Sequence, residues 1–354
     1  MKKLLIATTA LVGTAGVVAA DVTFSGYGRF GIQYDEDRIS RSAGAAVGDP
    51  VVESDLEETR LESRFRMNID ASTETDGGVR FAVRQRIQSD DDTDGEVKAS
   101  SLNAPRFQVS AGGFRVRVGN ISGVTDASDV VNFFGIEPGL VGKTGMYATF
   151  GGQVLGAYDA YSSTGKGSTG INVKYEIGDF AVMGSWTDDF DADEKDGGLG
   201  GGDRTTWELG ASYTFSGWTL GGVYGEGDYN GTGPLIAGLD GVTASLDNFD
   251  YNWWVVTATG SIGAFDLAAF VGDTNISEGS AYNDKVAYGI SGSFPVGAAT
   301  DITASIAGGG ESDLDTAFGI GFAHSLGGGV NLKGMAGQNE FGNTIADLGV
   351  VFNF

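Results

Sequence analysis

The sequence predicts an all-β fold: a 16-stranded antiparallel transmembrane β-barrel with its third long loop folded into the lumen. Three observations carry that expectation. Side-chain polarity alternates with period two along most of the chain, and period 3.6 is almost absent. The alternating segments number sixteen, an even count that puts both ends of the barrel on one rim. Their connections are alternately short and long, as they are where one rim carries tight turns and the other carries loops.

Residues 1–20, MKKLLIATTALVGTAGVVAA, have the form of an export leader. Lys2 and Lys3 make a charged head, Leu4 to Val18 an apolar stretch, and Ala19-Ala20 a small-residue cleavage end. One barrel domain is expected over 21–354. Its first strand, 22–35, alternates without a break: Val22, Phe24, Phe30 and Ile32 share one face, and Thr23, Tyr27, Arg29 and Gln33 the other. Strands at 59–72 and 79–89 follow, joined by TDGG at 75–78. Short turns then couple 105–111 with 114–120, 169–177 with 180–188, and 205–215 with 218–225. The remaining strands are 252–262, 264–272, 285–295, 299–307, 316–326, 329–338 and 344–354. In the last, Ala346, Leu348, Val350, Phe352 and Phe354 share a face opposite Asp347, Gly349 and Asn353. It can pair with the first strand and leave no edge.

Aromatic residues support a membrane setting. Tyr27, Tyr34, Trp186, Trp207, Tyr213, Phe215, Trp218, Tyr224, Trp253, Trp254 and Phe354 fall mostly near segment ends, where interfacial girdles belong. The chain has no cysteine, so no disulfide framework is available. Its formal charge is −25, and removal of Lys2 and Lys3 takes this to −27. Such acidity excludes nucleic acid as a partner. With 60 glycines and 5 prolines, the composition suits many tight turns better than a disordered linker.

The stretch GYGRFG at 26–31 matches G-x-G-x-x-G letter for letter. That motif binds a dinucleotide only where it closes a strand and opens a helix. Here it lies inside one unbroken alternation, so its glycines belong to a strand and Arg29 to the polar face. Two further segments repeat the device. In RLESRFRMNID, Arg60, Arg64 and Arg66 oppose Leu61, Phe65, Met67 and Ile69; in VRFAVRQRIQS, Arg80, Arg84 and Arg86 oppose Val79, Phe81, Val83 and Ile87. Sequential strands are neighbours, so seven guanidinium groups converge on one patch of wall. Burying them in a dry core costs too much, and a wet interior accommodates them.

The longest connection, 121–168, carries Val130, Val131, Phe133, Phe134, Ile136 and Leu140, which a solvated loop does not need. A loop folded inside the barrel can pack them on the wall. It also carries Asp126, Asp129 and Glu137, which by position in the loop are expected to face the arginines across the narrowest point.

SGYGRFGIQYDEDR, RLESRFRMNIDASTETDGGVRF and the ending ADLGVVFNF resemble the general diffusion porins of photosynthetic α-proteobacteria (the Rhodobacter type). The resemblance is strongest over the first three strands and the last. It implies a homotrimer of sixteen-stranded barrels in the outer membrane of a Gram-negative bacterium, passing small hydrophilic solutes and ions. It also implies an arginine cluster facing carboxylates of an inward loop, carried here by Arg29, Arg64, Arg66, Arg80, Arg84 and Arg86; Arg60 joins them by parity. Outer-membrane lipid and lipopolysaccharide are the surrounding partners. Gly26 and Gly28 let neighbouring barrels approach, or reflect low packing demand. A substrate-specific channel and a plugged barrel acting as an adhesin are the alternatives.

No enzymatic site is evident. A hydrolase needs a serine, a histidine and an orienting polar group within hydrogen-bond reach; His324, the single histidine, stands at a strand end beside a turn and reads as an interfacial residue. No cofactor is expected. The acidic runs SDDDTDGE at 89–96 and DDFDADEKD at 188–196 suit solvated charge or loosely held Ca²⁺; the first lacks the closing Glu of an EF-hand loop.

Overall fold

The computed structural model describes residues 21–36, 38–42, 52–90, 99–132, 134–142, 160–167, 169–189, 202–234, 245–276, 286–310 and 314–354. The leader at 1–20, Phe133 and most of both acidic runs lie outside the described residues. In chain order the strands begin β1 (Asp21–Asp35), β2 (Ile39–Ser42), β3 (Val52–Asp55), β4 (Thr59–Glu74), β5 (Arg80–Asp90), β6 (Ser101–Leu102), β7 (Arg106–Ala111) and β8 (Phe114–Asn120). After a four-residue helix α1 (Val124–Ala127) come β9 (Thr169–Ile177), β10 (Phe180–Asp189), β11 (Gly202–Phe215), β12 (Trp218–Pro234), β13 (Ser245–Ile262) and β14 (Phe265–Ile276). The chain closes with β15 (Ala287–Pro295), β16 (Thr300–Gly308), β17 (Ala317–Gly327), β18 (Val330–Gln338) and β19 (Thr344–Asn353).

Sixteen of these strands are the staves of a closed antiparallel ring: β1, β4, β5 and β7 through β19. The ring shuts where β1 pairs with β19, from Tyr27↔Asn353 to Asp35↔Ile345, while its other edge pairs with β4. Backbone bonds between Gly26 and Phe354 in both directions extend that junction (2.9 and 3.1 Å). The short β6 adds two residues to β5, and β2 with β3 forms a separate ribbon.

The staves are inside out relative to a water-soluble fold. Phe24, Phe30 and Ile32 of β1, Leu61 and Phe65 of β4, and Ile320 of β17 are exposed on the outside. Gln33, Glu62, Gln88, Asn172, Thr187 and Glu208, on the alternate parity, are buried. That is the distribution lipid outside and a polar interior impose on a period-two strand. The short rim uses turns that glycine permits: at the β11–β12 hairpin Ser216 and Gly217 both take positive φ (48° and 81°), the geometry that matches strand twist.

Two residues assigned to the aromatic girdle face inward instead. Trp253 is fully buried, and Tyr27 lies on the parity of Arg29. Proximity to a strand end outweighed parity in placing them, and parity decides. Gly28 does sit on the outward parity, but the ring of Phe352 from the neighbouring stave fills the space its side chain would take. A Cβ at Gly26 would overlap the Arg66 carbonyl of its own barrel.

Residues 121–142 run along the inward face of the wall. Thr125 meets β11 and β13, Asn132 meets β13, Ile136 meets β15, and Leu140 and Val141 meet β19. Val130, Val131 and Leu140 are buried there, and Phe134 packs beside them. The apolar cluster inside the barrel joins Val124, Val130 and Val131 to Met183, Val223, Trp253, Val255 and Phe270. The apolar cluster fills one side of the interior, and the arginine ladder stands on β1, β4, β5, β7 and β8.

Candidate functional site

Register stacks the arginines in steps up one wall. Arg29 of β1 stands opposite Arg64 of β4, Arg66 opposite Gln88 of β5, Asn68 opposite Arg86, and Asp70 opposite Arg84. Arg84 in turn stands opposite Arg106 of β7, and Gln108 opposite Arg117 of β8. Like charges directly across a sheet repel, so the wall must supply compensation, and it does so unevenly. Arg29 and Arg60 share the buried Glu62; Arg60 also donates twice to Gln33 Oε1 (3.0 and 2.7 Å). Arg64 pairs with Asp90 and reaches the Tyr27 hydroxyl (3.4 Å). Arg84 forms a two-bond fork on Asp70 (2.7 and 2.9 Å), the geometry in which guanidinium and carboxylate fit best.

The others have neutral partners. Arg66 donates to Gln88 and lies over the Tyr27 ring (5.4 Å). Arg86 donates to Asn68 Oδ1 (2.8 Å) and Ser163 Oγ (2.7 Å). Tyr161 presents its ring to both Arg86 and Arg106 (4.6 and 4.9 Å). Arg80, at the short-turn end, donates to Ser72 Oγ (2.9 Å). Among the described residues Arg66, Arg80, Arg86 and Arg106 have no carboxylate within ion-pair distance.

The three loop carboxylates occupy three different environments. Asp126 accepts the Tyr161 backbone N–H (3.0 Å), so it tethers the ring that covers Arg86 and Arg106. Asp129 pairs with Arg115, Arg117 (3.4 Å) and Lys174 (3.3 Å). Burial works against its charge, yet these three cations hold its carboxyl below the usual range. Glu137 lies on the opposite side, toward Lys333. Burial pushes its carboxyl up to about 7, with Lys333 pulling the other way.

Wall carboxylates fix the inner segment. Glu208, 2% exposed, accepts the N–H and hydroxyl of Thr125 (2.7 and 2.6 Å). The Trp253 indole donates to the same hydroxyl (3.2 Å). Asp347 accepts the N–H groups of Leu140 (2.9 Å) and Val141 (3.1 Å), and Ser291 Oγ accepts that of Ile136 (2.8 Å). Where the segment crosses Gly221, a Cβ would overlap the Val130 carbonyl.

Arg106, Arg115, Arg117, Lys174, Tyr161 and Ser163 belong to this site although the sequence expectation stopped at the third strand. The parity rule that placed Arg84 also places the first three, since Phe107, Val109 and Val118 are their exposed alternates. Among the described residues no group of three His, Asp or Glu side chains is arranged to hold a metal. The His324 ring shares a hydrogen bond with Thr300 Oγ1 (2.7 Å).

Comparison with known proteins gives one answer. The family described as Gram-negative porin matches residues 7–344. A curated porin of Fuscovulum blasticum is 30% identical over 348 residues, covering 94% of this chain and all of its own. Two solved mutants of the Rh. blastica porin superpose with TM-scores of 0.61 and 0.62 at 25% identity, each covering 94% of this chain and 100% of their own. The closed ring agrees with that match, and the chain belongs to the Gram-negative porin family.

Proposed function

We infer that this outer-membrane porin is a general diffusion channel whose narrowest passage lies between the arginine wall and the inner segment 121–142. Small hydrophilic solutes and ions pass through it without any covalent step. One observation carries the reading: the segment is latched to β11, β13, β15 and β19, so it lines the wall opposite Arg66, Arg84 and Arg86, while its Asp129 reaches Arg115 and Arg117. Passage is governed by size and by the field of that ladder. Arg66, Arg80, Arg86 and Arg106, lacking carboxylate partners among the described residues, tilt the field toward anions.

Homotrimers fit the exposed apolar face of β1 and β4, where Val22, Phe24, Phe30, Ile32, Leu61 and Phe65 stand together. Lipid and lipopolysaccharide surround the remainder. Solvated charge, or loosely held Ca²⁺, suits the acidic runs, which fall largely outside the described residues. Reversal potentials in a planar bilayer under a KCl gradient test the channel reading. Wild type is expected to favour Cl⁻, and Arg66→Gln with Arg86→Gln to move the potential toward K⁺. An unchanged potential refutes their place in the passage. Current steps in threes, with a matching cross-linked mass, test the trimer.

A further inference from the structure

On the short-turn side of Tyr161 the inner wall has a concavity of ≈ 530 Å³. Four guanidinium groups line it from three adjacent staves: Arg80 and Arg84 of β5, Arg106 of β7 and Arg117 of β8. Two carboxylates, Asp21 and Asp70, share the lining. Asp70 is engaged by Arg84 through both oxygens. Among the described residues Arg80 has only a serine hydroxyl, and Arg106 only the face of Tyr161. Arg117 donates to Gln108 and shares Asp129 with Arg115 and Lys174. The β5–β7 register sets Arg84 directly against Arg106, a repulsive arrangement that an anion between them would relieve.

We propose that this hollow is a retention subsite for phosphate-type dianions, above all small phosphate monoesters. The chemistry follows from the donors. A guanidinium offers paired N–H groups matched to an oxyanion edge. Donors approaching from three staves suit a tetrahedral oxyanion, which accepts from several directions, better than a planar carboxylate, which accepts along its plane. The volume lies in the range of small-molecule sites and leaves room beyond the phosphate for an organic group. Placed beside the passage, the subsite raises the local concentration of such solutes and partly obstructs Cl⁻ current while one is bound. The proposal deepens the channel reading above and rests on it.

The test is block of Cl⁻ current through the whole reconstituted porin at low ionic strength, where charge attraction is least screened. Orthophosphate and glucose 6-phosphate are expected to reduce the current in a saturable way, and succinate at equal charge to do so less. Arg106→Gln is expected to raise the half-blocking phosphate concentration about tenfold, the worth of a charged hydrogen bond; Arg106→Lys restores part of it. Arg117→Gln, in a different stave, serves as the second variant should the first not insert. Arg66→Gln, above Tyr161, is expected to shift the reversal potential while leaving the half-blocking concentration within about twofold. No phosphate block, equal block by succinate, or block unaltered by Arg106→Gln and Arg117→Gln overturns the subsite. A reversal potential unmoved by Arg66→Gln instead refutes the place of the arginine wall in the passage, the reading on which the subsite rests.

Discussion

Replacing Glu208 by leucine is expected to release one end of the inner segment. The carboxylate accepts two hydrogen bonds from Thr125, a residue with no exposed surface, and is itself 2% exposed. Leucine keeps the volume and removes the acceptor. The Thr125 N–H loses its partner and the hydroxyl loses one of two, Trp253 being the other. Each buried donor left unsatisfied costs about 1–3 kcal/mol, so the latch is weakened by about 2–6 kcal/mol. The milder change Glu208→Gln keeps a carbonyl oxygen where Oε2 accepts both bonds, and should give a much smaller effect. The assay is single-channel recording: Glu208→Leu should raise open-channel current noise and mean conductance as the segment leaves the wall intermittently. Adding Asp347→Leu removes the acceptor of Leu140 and Val141 at the other end, and the two changes together should exceed their sum. The barrel's thermal unfolding should change far less, because backbone pairing around the ring is untouched. A quiet channel of wild-type conductance in the double variant would refute the latch.

Other expectations follow from the same geometry. Gly221→Ala places a Cβ against the Val130 carbonyl, an overpacking that costs about 1–3 kcal/mol; it should displace the segment and change conductance while the folded barrel persists on a gel-shift assay. Glu137 has its carboxyl raised from 4.5 to about 7, so the folded state holds the proton longer than the unfolded chain does. Stability from that group is present below 4.5 and is lost as pH rises toward 7; channel noise should rise over that window, and Glu137→Gln should flatten the profile. Arg115→Gln leaves Asp129 with Arg117 and Lys174, and should shift the reversal potential toward K⁺, by less at high salt.

Parity in the sequence was enough to place the staves, because one face meets lipid and a slip of one residue would turn every arginine outward. It sufficed for the facing of Arg29, Arg60 and Arg86; for Val130, Val131 and Leu140 the signal was apolar character in a long connection, which called for a wall. Parity also pointed inward for Tyr27, which the girdle assignment overrode. What it could not supply was partners. Glu208 in WELGA and Asp347 in ADLGV are single charges on an inward face, and nothing local says that each awaits backbone N–H groups from a segment 83 or 207 positions away. The destinations of Asp126, Asp129 and Glu137 depended likewise on the path of 121–142 across four staves. Position in the loop could not tell the carboxylate beside Arg115 from the one beside Lys333.

The junction of β1 with β19 has a bearing on assembly. It joins positions 27 and 353, and bringing such distant points together costs about 3 kcal/mol more chain entropy than closing a ten-residue hairpin. Hairpins can zip one after another as the chain emerges, but the seam waits for the final strand. Until then two raw borders of unpaired peptide groups are open to any passing strand. The cylinder is thus most vulnerable to mispairing just before it is complete, and escorting that last gap shut is the step at which an assembly factor would matter most.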